Sequence, residues 1–148
     1  MRIEAAISSD IPALNELLAE LFSQEQEFMP NSEAQSRGLL MIINNPDVGV
    51  VLLARRDEQI VGMANILFTV STALGARVAL LEDMIIASAW RGERIGPQLL
   101  TAAISLARSR DCKRITLLTD GSNKLAQQFY AKQGFIASNM IPMRLSLN

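Results

Sequence analysis

The apolar run Val78 to Ile86 carries two adjacent carboxylates, Glu82 and Asp83. After Ala87-Ser88-Ala89 it gives way to Trp90-Arg91-Gly92-Glu93-Arg94-Ile95-Gly96-Pro97. The run reads as a buried strand. Ile95, Leu99, Leu100, Ala103, Leu106 and Ala107 then fall at helical spacing. A strand that feeds a glycine-bearing loop and then a helix aims several backbone N–H groups, and the positive end of the helix dipole, at one point beyond the strand. Glycine lets the main chain approach an anion closely. Arg91 and Arg94 add charge-assisted hydrogen bonds. This combination suits the grip of a pyrophosphate without a metal. It is neither a Gly-Lys-Ser/Thr phosphate loop nor the G-x-G-x-x-G dinucleotide turn.

What the chain lacks narrows the chemistry further. It has no histidine, which removes Ser-His-Asp and Cys-His mechanisms and the usual zinc sites. It has one cysteine, Cys112, so no internal disulfide forms and no metal is expected. Cys112 lies beside Arg110, Lys113 and Arg114 and reads as an incidental thiol. The reactive groups left are carboxylates, the single tyrosine, amides and whatever the chain binds.

Charge is distributed unevenly. Residues 1–58 carry 10 acidic and 4 basic side chains, and residues 59–148 carry 5 and 10, within a net charge of −1. That fits an anionic cofactor held by the second half and a cationic substrate drawn toward the first. It does not fit a nucleic-acid binder: there is no long basic helix and no basic stripe interleaved with aromatics. No apolar run is long enough for a membrane helix. Met1-Arg2-Ile3-Glu4 lacks the apolar stretch of a secretory leader, so a cytoplasmic location is expected.

The elements that must position these groups follow from periodicity. At 148 residues and 49% hydrophobic content, the chain reads as one domain spanning 1–148, with no repeat or linker. Leu14, Leu17, Leu18, Leu21 and Phe22 form one face of a helix that starts near Ser8-Ser9-Asp10 and ends near Ser23. A polar loop, Gln24 to Asn31, leads to a second helix over Glu33 to Ile43. Val48 to Ala54 and Ile60 to Val70 form a hairpin across Arg55-Arg56-Asp57-Glu58, and Gly75 turns the chain into the third strand. Ile115 to Leu118 is a short strand, and Asn123 to Gln133 a helix closed by Gly134. Ile3 to Ile7 would add a first strand, and the alternation of Phe135 to Leu147 one or two last ones. The fold class is mixed α and β, helices packed around a mixed sheet.

Two stretches now carry a resemblance. Arg91-Gly92-Glu93-Arg94-Ile95-Gly96 resembles the acetyl-CoA pyrophosphate loop of the GNAT N-acetyltransferase superfamily, whose pattern is Gln/Arg-x-x-Gly-x-Gly/Ala after a strand. Asn123 to Phe135 resembles that family's second hallmark, an Asn-x-x-Ala-x-x-Phe-Tyr helix that closes on Gly-Phe. The two stand in the family's order. The resemblance implies a central mixed sheet of six to seven strands flanked by about four helices. The sequence departs from the pattern in carrying Arg94 at the middle glycine, and it places Pro97, which has no N–H, just after the loop.

By that resemblance, Met84 and Ile86 offer strand backbone to the pantetheine arm. Arg91, Gly92, Glu93, Arg94, Ile95 and Gly96 hold the pyrophosphate, Asn123 hydrogen-bonds the cofactor, and Tyr130 is the general acid at its sulfur. The implied reaction is direct attack of a primary amine of a small molecule on the thioester of acetyl-CoA, within a ternary complex. Glu82 is the candidate base, with a chain of waters as the alternative: simple strand alternation puts Glu82 on one face with Met84 and Ile86, and Asp83 on the other. Glu25 and Glu27, in the loop after the first helix, are candidate contacts for a cationic amine, and Asn65 on the hairpin is another. Trp90 is expected to pack rather than react. A protein or peptide acceptor, or a non-catalytic acyl-CoA sensor of the same fold, are the alternative readings. A homodimer paired through the apolar tail is implied as well.

Overall fold

The computed structural model describes residues 1–24 and 30–148. Met1–Leu118 forms one compact unit and Thr119–Asn148 another. In the first, the order is β1 (Arg2–Ala5), α1 (Ile11–Gln24), α2 (Ser32–Ile43), β2 (Gly49–Arg56), β3 (Gln59–Ser71), β4 (Ala76–Ile86), α3 (Ile95–Ser109) and β5 (Ile115–Leu117). One-turn 3-10 segments at Ser8–Asp10 and Ser88–Trp90 lead into α1 and away from β4. The second unit contains α4 (Lys124–Lys132).

The five strands form one sheet in sequence order, β1-β2-β3-β4-β5. Every pair is antiparallel except β4 with β5. Asp57 and Glu58 turn the β2–β3 hairpin with positive φ at both residues, 52° and 65°. That backbone matches the right-handed twist of the flanking strands. Each sheet face is covered differently. Leu14, Leu17 and Leu18 of α1 and Leu39 of α2 cluster with Val51, Leu53, Met63 and Ile85. On the other face Ala54 and Val61 meet Ile95, the first residue of α3, with Ile86 and Trp90 packed against them. The expected packing role of Trp90 is therefore observed.

Among the described residues the strand count is lower than expected, five rather than six to seven. The first strand is present as β1, but Phe135 to Asn148 carries no strand. Alternation describes one face of a strand. A strand exists only where its N–H and C=O groups meet a partner, and these residues pair with none among the described ones.

Strand β4 is irregular in a place that matters. Met63 lies opposite Ile85 and Asn65 opposite Glu82, so Asp83 and Met84 together face the single residue Ala64. This is a β-bulge. Asp83 takes φ of 53°, a left-handed conformation uncommon for a residue with a Cβ.

Candidate active site

The bulge overturns the expected facing of the strand. Ile85 belongs to the cluster under α1 and α2, and Ile86 to the cluster under α3. Glu82, opposite Asn65, lies on the α1–α2 side, and so does Asp83. Glu82 therefore does not share a face with Ile86, and Asp83 is not turned away from the site. An extra residue in one strand shifts the two-residue alternation by one. The tandem Glu82-Asp83 was itself a signal. Two adjacent charges in a buried strand reach one face only if the strand is bulged.

That side holds a cavity of about 320 Å³ between α1, α2 and the strands. Leu18, Phe22, Leu39 and Ile42 form its apolar wall, and Asn65, Glu82 and Asp83 its polar end. Asn65 Nδ2 donates to Asp83 Oδ2 at 2.8 Å. Burial raises the Asp83 carboxyl above its ordinary range, and the Asn65 hydrogen bond only partly opposes this. The sign of the consequence is fixed. The folded state holds the Asp83 proton more tightly than the unfolded chain, so this group's contribution to stability is full below the unfolded pKa near 3.9 and is lost as pH rises through the folded value. Asp83→Asn, which cannot ionise, is expected to raise Tm at neutral pH, and the gain should shrink steadily as pH falls toward 4, as read by thermal melts across a pH series. A gain that does not change with pH would show that the ionised carboxylate is not the destabilising group.

The β4–β5 ladder ends at Leu81 and Leu117, short of Glu82 to Ile86. Beyond Ile86 the chain enters the loop. Arg91 is held from two sides: its Nε donates to the Ile86 carbonyl at 3.1 Å and its Nη2 to Glu20 Oε1 at 3.2 Å. The same Glu20 oxygen accepts from the Ser88 N–H at 3.1 Å and from the Ser88 hydroxyl. Glu20, on α1, thus fixes the start of the loop. A guanidinium has five N–H donors, and these two bonds use two of them. Sequence reasoning missed Glu20 and Ser88. They lie 68 residues apart, and no local pattern connects them.

Gly92 has φ of 84° and Arg94 has φ of 63°. Arg94 is the N-cap of α3 and gives it no side-chain cap. The N–H groups at this helix start are those an α-helix leaves without internal partners. Pro97 falls at the third helical position, where its missing N–H breaks no helical bond. Glu93 accepts from Arg56 at 3.2 Å, and Arg56 stacks over the Trp90 ring at 5.5 Å. The loop is thus anchored at Arg91, Glu93 and Trp90 and presents backbone between them.

In the second unit, Asn123 caps α4, its Oδ1 accepting from the Ala126 N–H at 3.0 Å. The helix closes through Gly134, φ 102°, with Phe135 N donating to the Tyr130 carbonyl at 3.2 Å and Gly134 N to that of Ala131 at 3.0 Å. This left-handed helix end brings the residue after the glycine back onto the last turn. The Phe135 and Tyr130 rings accordingly meet edge to face, centroids 5.7 Å apart, and Phe129 flanks Tyr130 at 5.1 Å. Burial raises the Tyr130 phenol above its ordinary pKa, so its proton stays on. Glu25 and Glu27 lie outside the described residues. Cys112 is half-buried, and burial, against Arg77 and Arg110, pushes its thiol up, which suits an unreactive side chain.

The family model described as "Acetyltransferase (GNAT) family" matches residues 11–135. The chain belongs to the GNAT acetyltransferase family. It is 28% identical over 138 residues to the uncharacterized N-acetyltransferase YhfO of Bacillus subtilis, covering 91% of this chain and 89% of that one. It is 25% identical over 134 residues to the aminoalkylphosphonate N-acetyltransferase of Salmonella typhimurium, covering 90% and 84%. A crystal structure described as a transcriptional regulator from Bacillus halodurans C-125 superposes with a TM-score of 0.84 at 29% identity, covering 99% of each chain.

A GNAT acetyltransferase is an acyltransferase, and acetyl-CoA is the family's co-substrate. The Arg91–Gly96 segment of this GNAT chain offers what an anionic diphosphate needs from a backbone: two left-handed residues turn the chain and an uncapped helix start follows. Among the described residues, no group of three or more His, Cys, Asp or Glu side chains could hold a metal. Among them also, no helix is long and apolar enough to cross a membrane.

Proposed function

We propose that the protein transfers the acetyl group of acetyl-CoA to a primary amine of a small molecule by direct attack in a ternary complex. The observation that carries this reading is the polar end of the cavity. Glu82 and Asp83 of β4 and Asn65 of the neighbouring β3 line it together, and β4 is the strand that runs into the Arg91–Gly96 loop. Two carboxylates there favour a cationic amine. Acetyl-CoA supplies the activated acyl thioester. Glu82 takes a proton from the ammonium, and the freed nitrogen bonds to the acetyl carbon as the C–S bond breaks. Tyr130 gives its proton to the sulfur, and the nitrogen releases its second proton to solvent. A strand N–H near Ile86 stabilises the charge that builds on the acyl oxygen. Asn123 and the Met84 backbone complete the cofactor contacts. An aminoalkylphosphonate, the acceptor named for the Salmonella relative, suits this chain poorly: no Lys or Arg is among the described residues that line the cavity.

Calorimetric titration with acetyl-CoA, with free CoA as control, followed by thiol release over an amine panel, tests the reading. Saturable binding and amine-dependent release are expected. Binding without release on any amine would favour the sensor reading. Glu82→Gln is expected to flatten the rising limb of the pH–rate profile, whereas an unchanged profile would remove Glu82 as the base.

A further inference from the structure

Among the described residues of the first unit, two polar side chains are buried, Gln35 and Asn65, and they differ in one respect. The Gln35 amide is satisfied: its Nε2 donates to the Asn15 carbonyl and side-chain oxygen at 3.3 and 3.2 Å, and its Oε1 accepts from the Asn31 N–H at 2.8 Å. Asn65 is 3% exposed, and its Nδ2 is committed to Asp83. Its Oδ1 has no partner among the described residues. A buried acceptor left unpaired is destabilising. It lies beside a carboxylate held in the cavity by a left-handed residue in a bulge, a second unfavourable feature at the same place. The unpaired Asn65 Oδ1 and the Asp83 carboxylate are both acceptors, and both residues line the cavity at the β3–β4 end.

We infer that Asn65 Oδ1 and the Asp83 carboxylate together anchor the ammonium group of the acceptor, and that the acceptor carries this amine on an uncharged apolar body. An ammonium has three N–H donors: one for Asn65, one for Asp83 and one for the group that deprotonates it. It supplies what the pair lacks, donors and positive charge. No Lys or Arg is among the described lining residues to pair with an anionic group on the same molecule, and the other two polar lining residues are already engaged, Asn31 Oδ1 by the Ala34 N–H and Gln35 by Asn15 and Asn31. Leu18, Phe22, Leu39 and Ile42 offer only apolar contact. The volume, about 320 Å³, lies at the small end of ligand pockets. This inference rests on the reading of the chain as an amine acetyltransferase and sharpens it from any small amine to an apolar one.

The test uses the full chain and four amines: 3-methylbutylamine, phenethylamine, 2-aminoethylphosphonate and glucosamine. Thiol release is expected to give the two apolar amines kcat/KM values at least about tenfold above the other two. Asp83→Asn should reduce kcat/KM for 3-methylbutylamine by about a hundredfold, mostly through KM, with acetyl-CoA affinity unchanged. Asn65→Leu should do the same and tests the second half of the anchor independently. Without acetyl-CoA, 3-methylbutylamine should raise the Tm of the native protein and not that of either variant. Preference for 2-aminoethylphosphonate or glucosamine, or variants that keep the native KM and Tm shift, would overturn the inference. An amine-induced Tm shift in a protein that binds no acetyl-CoA would leave the anchor standing and remove the acetyltransferase reading instead.

Discussion

Tyr130→Phe is expected to keep the fold and acetyl-CoA affinity and to lower kcat by about two to four orders of magnitude, the range general acid catalysis supplies. The hydroxyl is the only group removed. The edge-to-face contacts that seat the ring, with Phe129 at 5.1 Å and Phe135 at 5.7 Å, are made by carbon and survive in Phe. The bonds that close α4 on Gly134 and Phe135 are backbone bonds and do not change. What disappears is a hydroxyl whose pKa burial raises, so that at neutral pH its proton stays on the phenol oxygen, as the proposed acid role requires. A leaving thiolate takes such a proton as it departs. Calorimetry against acetyl-CoA separates binding from turnover, and thiol release under saturating amine reads kcat. A kcat within a factor of two of native would remove Tyr130 from the acid role and leave it a packing residue of α4.

The parts of this molecule legible in the sequence are those set by local periodicity. The leucine face of α1, the hairpin and the face of α3 all follow from spacing within one element, and the helix that ends on Gly134 follows from one left-handed residue. The site was legible as composition and less so as geometry. Strand alternation alone placed Glu82 with Ile86 and sent Asp83 away. The bulge opposite Ala64 reverses this and puts both carboxylates beside Asn65. The sequence held the clue in its tandem charges, but a bulge is decided by pairing with another strand. The Glu20 bonds to Ser88 and Arg91 depend on how α1 packs and leave no local trace. The tail misled for the converse reason: Met143, Leu145 and Leu147 alternate well, and alternation does not supply a ladder partner.

The second large effect should come from Gly92→Val, expected to weaken acetyl-CoA binding about a hundredfold while lowering Tm by only a few degrees. A Cβ at Gly92 would meet nothing within 4 Å, so space is not the constraint. The constraint is φ of 84°, a conformation β-branched residues avoid. Valine would pull the loop out of the left-handed turn and redirect the N–H groups between Arg91, held by Glu20 and the Ile86 carbonyl, and the start of α3. Loss of two charge-assisted hydrogen bonds to a diphosphate, each worth roughly 1.5–3 kcal/mol, accounts for the factor of a hundred or more. Gly75→Val is the matching control. Gly75 also has positive φ, 61°, and open space around it, but it turns the β3–β4 connection. It should lower Tm by a similar amount and leave acetyl-CoA affinity native. If both variants bind acetyl-CoA equally well, the Arg91–Gly96 backbone is not the cradle. If both lose it equally, the effect is one of global stability. Loss at Gly92 alone assigns the diphosphate to the loop, and the left-handed Arg94 beside it then shows that the turn tolerates a side chain where the family pattern has glycine, provided the backbone keeps its angle.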